Sequence, residues 1–217
     1  MGRAMPNYAQ VFAERVRDSL DLIGAVESAR VSLSTLETQR LSLSIHRTEL
    51  IYELAFLRIF VHWESFLEET FMRYLCGYEC AGISETPCAH FFKTIADAQK
   101  DVNRGRPFIL WHNPYEVEKR AKQYFDNGRH ENAIAANLSR LKWLSFVRHR
   151  IAHANDDARR NFDTACMSLC GRRFRGGRPG RFLRDWTGGA HGSQRWLEVL
   201  AEDLSVTASL IAPFPSA

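Results

Sequence analysis

From Tyr8 to about Arg30 the apolar residues Phe12, Val16, Leu20, Ile23 and Val26 recur every three to four positions, the period of a helix with one buried stripe. The following stretch, VSLSTLETQRLSLSI, alternates serine with Val31, Leu33, Leu41, Leu43 and Ile45, a pattern that fits either a short strand or an irregular connection. From Thr48 to Cys76 two apolar stripes overlap. One is Leu50, Leu54, Leu57 and Val61, the other Phe56, Phe60, Trp63, Leu67 and Phe71, so the spacing predicts a long central helix burying a broad face, with Gly77 as its left-handed cap. Cys80 to Ala89 reads as a loop and His90 to about Asn103 as a short helix, interrupted by Arg104-Gly105-Arg106-Pro107. Asn113 as N-cap, Pro114 in the first helical position and Glu116 and Glu118 after it open a helix that stops near Asn127-Gly128.

The next helix is predicted from about Glu131 to Ala154, striped by Ile134, Leu138, Leu141, Leu144, Val147 and Ile151. A short helix follows from Asp156 to Gly171. Gly176, Gly177, Pro179 and Gly180 then forbid any regular element, and a last helix runs from about Gln194 to Ile211 before Pro213 and Pro215. No run of strands separated by turns appears. The expected fold is all-α, an antiparallel bundle of four to five main helices with short extra helices and an Arg/Gly-rich loop. Residues 1–46 supply an N-terminal helix and connection and 47–217 the bundle, within one structural unit.

Composition narrows the class. With 217 residues, 45% of them hydrophobic and 25% charged, the chain can bury a core and does not resemble a disordered one. Its start, MGRAMPNYAQ, has no apolar signal region and no segment approaches the length of a membrane span, so a cytoplasmic protein with no membrane partner is expected. The cysteines number five and no secretory signal accompanies them, which favours reduced thiols. Cys76 with Cys80 and Cys166 with Cys170 are four apart, a spacing that could serve zinc, but small buried hydrophobes are the better reading, and no metal or other cofactor is expected. The net charge of +4 matters less than its distribution, because arginines crowd positions 172–184.

The chemistry concentrates in Phe146-Val147-Arg148-His149-Arg150-Ile151-Ala152-His153-Ala154-Asn155. Val147 and Ile151 belong to the inward stripe, whereas His149 and His153 share another face one turn apart, with Arg148 long enough to reach the same space. Taken alone, such residues also occur as packed or surface groups. A metal site built on His149 and His153 is disfavoured, since a metalloprotease helix would carry Glu beside the first histidine.

An arginine followed five residues later by a histidine, late in an all-helical chain and downstream of the aromatic-rich segment WESFLEETFMRYL, resembles the HEPN superfamily, whose signature is R-x4-6-H. The resemblance covers roughly residues 48 to 211. It implies RNA cleavage by a homodimer in which two motifs meet across the interface, without a metal: the RNA 2′-hydroxyl attacks the adjacent phosphate, leaving a 2′,3′-cyclic phosphate and a 5′-hydroxyl. Such a reaction needs a proton acceptor, a proton donor and a cation on the phosphorane. Histidine titrates near neutrality and arginine grips phosphate in a bidentate fork, so His153 is assigned as acid or base and Arg148 as phosphate binder. Many members carry Asn or Asp where this chain has His149, and its role stays open between substrate orientation, proton transfer and local capping. Glu64 and Asn155, with His62, are candidates for supporting His153. The family also implies a bacterial toxin-antitoxin or anti-phage setting, with an antitoxin or sensor protein as partner.

The segment GRRFRGGRPGRFLRDW interleaves Arg172, Arg173, Arg175, Arg178, Arg181 and Arg184 with Phe174, Phe182 and Trp186. Guanidinium groups on phosphates and rings stacked on bases suit single-stranded RNA, and the glycines suit a loop that orders on its ligand. The plainer reading is a solvated loop, or arginines paired with acidic residues. Two rival functions follow: a non-catalytic HEPN-like module for dimerisation or RNA binding, and a helical DNA binder with salt-sensitive affinity.

Overall fold

A computed structural model describes residues 3–33, 43–80, 82, 84–104, 109–188 and 192–213. Among these the helices are α1 (Tyr8–Leu33), α2 (Ile45–Leu75), α3 (Ile95–Asn103), α4 (Pro114–Tyr124), α5 (Arg129–Ala136), α6 (Leu138–Ala152), α7 (Asp156–Cys170), α8 (Pro179–Arg184) and α9 (Trp196–Ile211). The fold is all-α. Two short strands, β1 (Arg3–Ala4) and β2 (Tyr78–Glu79), pair in parallel, Arg3 with Tyr78 and Ala4 with Glu79. No helix among the described residues is long and apolar enough to cross a membrane.

Several element ends differ from expectation, each for a local reason. In the ambiguous stretch, α1 continues through Leu33, while residues 34–42 lie outside the described residues. Ser44, whose hydroxyl accepts from the Arg47 N–H at 3.4 Å, starts α2 at Ile45. The helix expected from His90 begins only at Ile95, because Thr94 is its N-cap and accepts from the Asp97 N–H at 3.1 Å. Asn113 and Pro114 open α4 as expected, with the Asn113 side chain accepting from the Tyr115 N–H at 3.1 Å. The helix expected over Glu131 to Ala154 is divided at Asn137, whose side-chain amide donates to the Ala133 carbonyl at 3.1 Å and competes with the regular ladder. Residues 176–184 were expected to hold no regular element, yet α8 forms there with Pro179 in the first helical position, where a missing N–H costs nothing.

The chain divides into two units. The first takes residues 1–13, 62–142 and 204–217 and the second 14–61 and 143–203. In the first, the Phe71 ring meets Trp111, Phe125 and His130 edge-on at centroid distances of 5.4, 5.1 and 5.2 Å. The Tyr74 hydroxyl donates to the Ile211 carbonyl at 2.7 Å. His130 is fully buried, with Nε2 3.0 Å from the Thr70 hydroxyl, and burial depresses its pKa to about 3, so the ring is neutral.

In the second unit Phe182 is the hub, with Phe162, Phe174 and Trp196 at 6.0, 5.4 and 5.3 Å. Beside it, Glu27 gathers Tyr52, Arg184 and Arg195 at 3.1, 2.6 and 3.5 Å. Burial pushes the Glu27 carboxyl up, but the Arg184 and Arg30 hydrogen bonds and the Arg195 charge outweigh it and hold the group at about 2. The two stripes of α2 have different fates. Phe56, Phe60, Trp63, Leu67 and Phe71 are buried, whereas Leu50, Leu54 and Val61 are 50%, 57% and 56% exposed, so the helix does not bury the broad face expected of it.

Candidate active site

The end of α6 is built by hydrogen bonds that the motif itself supplies. The His153 N–H donates to the His149 carbonyl at 2.9 Å, closing the last turn. Arg150 Nη1 donates to the His153 carbonyl at 3.2 Å, placing a cation where the helix dipole favours one. Asn155 then starts α7, its side chain accepting from the Ala158 N–H at 2.8 Å. Its local duty is therefore capping. The His149 and His153 rings lie 4.6 Å apart, His149 half-buried and His153 exposed.

His153 lines a cavity of about 320 Å³ within the second unit. Its walls are His46, Glu49, Leu50 and Glu53 of α2, the stretch from Arg150 to Ala154, and the turn from Gly176 to Pro179. Arg148 and His149, half-buried on α6, are not among the lining residues. The cavity is lined instead by Arg150, whose Nε donates to the Gly177 carbonyl at 3.1 Å, and by Arg178. Residues two apart on a helix point about 200° apart, so Arg148 and Arg150 leave α6 in nearly opposite directions.

The turn is pinned to α2 at close range. Gly176 and Gly177 have φ of 79° and 57°, the left-handed region that glycine enters without strain. Gly180 faces α2 so closely that a Cβ there would lie 2.1 Å from the Glu49 carbonyl oxygen. Its N–H donates to Glu53 Oε1 at 2.8 Å, and Arg178 Nη1 reaches Glu49 Oε2 at 3.4 Å. Burial raises the Glu53 pKa, the Gly180 N–H opposes this, Glu49 adds to the rise, and His46 and Arg150 oppose it. The cavity thus combines two imidazoles, the Glu53 carboxyl shifted toward neutrality, the Arg178–Glu49 ion pair and the Arg150 guanidinium. These are the types that general acid–base chemistry on a phosphodiester uses.

Glu64 belongs to the first unit, where its carboxylate lies 3.8 Å from His112 Nδ1. Half of the arginine segment is tied into the fold: Arg172 pairs with Asp185 and lies over the Phe174 ring, Arg178 pairs with Glu49, and Arg184 with Glu27. Arg173, Arg175 and Arg181 are exposed. Phe174 and Phe182 are buried, so they are not platforms for bases as the interleaved pattern suggested, and the exposed Trp186 carries the Arg195 guanidinium 4.4 Å from its ring centre. Cys80 and Cys166 are buried, Cys76 and Cys170 half-buried and Cys88 exposed. Among the described residues no group of three or more His, Cys, Asp or Glu is placed to hold a metal ion.

Sequence reasoning missed His46, Glu53 and Arg150. The first two had a readable signal, for His46, Glu49 and Glu53 lie three and four apart on α2 and share a face. Comparison of the chain with protein-family models, with curated proteins and with solved structures found no match.

Proposed function

We propose that the chain is a metal-independent endoribonuclease that cleaves RNA by attack of the 2′-hydroxyl, with its active site completed at a homodimer interface. The observation that carries this reading is the cavity in which His153 faces His46, Glu53 and Arg150. His153 serves as one proton-transfer group, His46 or Glu53 as the other, and arginine stabilises the charge developing on the phosphorane. Support for a second copy comes from the exposed Leu50, Leu54 and Val61, because Leu50 also lines the cavity and a partner covering this stripe would reach the cavity mouth. Such a partner would bring its own Arg148 toward the phosphate. Following the HEPN resemblance, the enzyme works in the cytoplasm of a bacterium, in a toxin-antitoxin or anti-phage system with an antitoxin or sensor protein restraining it.

A second reading, a non-catalytic HEPN-like module for dimerisation or RNA binding, is favoured by the position of Arg148 outside the cavity. One experiment separates the two. Purified protein is incubated with total RNA and tRNA in EDTA beside His153→Ala, and the product ends are identified. Cyclic-phosphate ends that vanish in the variant support the nuclease. RNA binding without cleavage, at concentrations where the dimer forms, supports the module.

A further inference from the structure

A second cavity, of about 300 Å³, lies wholly within the first unit. Its walls come from the end of α3 and from one face of α4. Glu116, Lys119, Arg120 and Gln123 recur at three, four and seven positions, the spacing of a single helical face, and all four line the space. The opposite face of α4, with Val117 and Ala121, is buried and fixes the helix rotation. Where α3 ends, Arg104 adopts the left-handed conformation at φ 46° and turns into the cavity wall beside Tyr124. Tyr124 in turn donates to Asp101 Oδ2 at 2.7 Å, tying α3 to α4. The Arg120 guanidinium is held 5.0 Å from the centre of the Trp111 ring, which orients it.

The charge balance identifies the class of occupant. Among the described residues three cations, Arg104, Lys119 and Arg120, line the cavity against one carboxylate, Glu116, with the Asp101 carboxylate nearby as acceptor of the Tyr124 hydroxyl. The positive surplus suits a phosphate group, and the small volume suits a monoester of mononucleotide size better than a longer phosphodiester strand. The volume lies at the lower end of the range of about 300–1,000 Å³ for small-molecule sites, and Val102, Ile109 and the Tyr124 ring offer an organic portion some apolar wall. We propose that this cavity binds a small phosphate monoester of about mononucleotide size, with the phosphate among Arg104, Lys119 and Arg120. Every described lining residue belongs to the first unit, and the proposal does not rest on the reading of the His153 cavity.

The test is isothermal titration calorimetry on the full chain with inorganic phosphate, AMP, adenosine and the dinucleoside phosphate ApA. Saturable binding of phosphate and AMP is expected, with adenosine and ApA at least about 10-fold weaker. Lys119→Glu should weaken AMP by about 10-fold or more, as should Arg104→Asn, chosen because asparagine tolerates the left-handed conformation. Both side chains are exposed, and an unchanged unfolding midpoint verifies the fold of each variant. Absence of binding by phosphate and AMP, equal binding of AMP and adenosine, ApA binding as tightly as AMP and weakened alike by both variants, or indifference of AMP to both variants would each overturn the proposal.

Discussion

Gly180→Ala puts the architecture of the His153 cavity under direct load. The added Cβ would stand 2.1 Å from the Glu49 carbonyl oxygen, 2.6 Å from its carbon and 3.0 Å from its Cα. Carbon and oxygen approach no closer than about 3.3 Å without cost, and all three atoms are helix backbone that cannot swing aside, so α8 must retreat from α2 by about 1 Å. That movement stretches the 2.8 Å hydrogen bond from the Gly180 N–H to Glu53, leaving a half-buried carboxyl short of a donor. Overpacking of this kind costs about 1–3 kcal/mol and a lost hydrogen bond to a charged group about 1.5–3 kcal/mol; partial relaxation makes ~2–4 kcal/mol the expected total. For a chain of this size that is a fall in Tm of roughly 5–15 °C. Gly24→Ala is the internal control: no atom lies within 4 Å of its Cβ position in α1, so it should stabilise by about 0.5–1 kcal/mol. Calorimetric or circular-dichroism melts of both variants decide the matter. A Gly180→Ala protein melting with the wild type would refute the close packing of the turn on α2.

Further outcomes follow from other parts of the molecule. His130 is neutral when folded, with a pKa near 3 against about 6.5 unfolded, so the unfolded chain takes up the proton first and stability falls as pH drops from about 6.5 toward 3. Urea unfolding should show a loss of about 2 kcal/mol between pH 6.5 and 4.5 that is missing in His130→Gln, and parallel pH dependence in the two proteins would contradict it. Replacing Arg173, Arg175 and Arg181 together by Gln should reduce the log–log salt slope of single-stranded RNA binding by about 2, from the loss of three phosphate contacts. Arg184→Gln should leave that slope alone and lower Tm instead, because this arginine is committed to Glu27 at 2.6 Å. Leu54→Asp, at a side chain 57% exposed, should change monomer stability little while shifting sedimentation from dimer to monomer and reducing cleavage. An unaltered sedimentation profile would remove the α2 stripe as the interface.

The helices were legible where their signals are local. The period of Phe12, Val16 and Ile23 and the Asn113-Pro114 start act within one or two turns, and the structure keeps them. What the pattern misread depends on contacts distant in sequence. Leu50, Leu54 and Val61 have helical spacing, but spacing cannot say whether anything packs against them, and in the single chain they are largely exposed. Pro179 and Gly180 read as breakers in isolation; in the fold they open α8 and permit its approach to a helix 127 residues earlier. The β1–β2 pairing had no local signal at all, being two residues on each strand. In the site, the local motif drew attention to Arg148 and His153, while Glu53 and His46, though they share a face of α2, gained a link to His153 only where the turn closes over that helix. A run of arginines likewise looked uniform until Glu27, Glu49 and Asp185 claimed three of them.

The division of labour between Arg148 and Arg150 bears on how many chains build one site. Arg150 lies in the cavity with His153, but Nε and Nη1 already donate to the carbonyls of Gly177 and His153. A guanidinium has five N–H groups, so Arg150 retains donors for a phosphate while serving as a strut. Arg148 lies outside the cavity. If it contacts the scissile phosphate, its departure from α6 nearly opposite to Arg150 favours a second copy as the source. The single-chain and two-chain sites therefore make opposite demands on the pair. Loss of cleavage in Arg148→Ala, with RNA binding and fold kept, argues that a partner completes the centre. Loss confined to Arg150→Ala, with Arg148→Ala fully active as a monomer, argues that one chain suffices and that the motif arginine serves the fold.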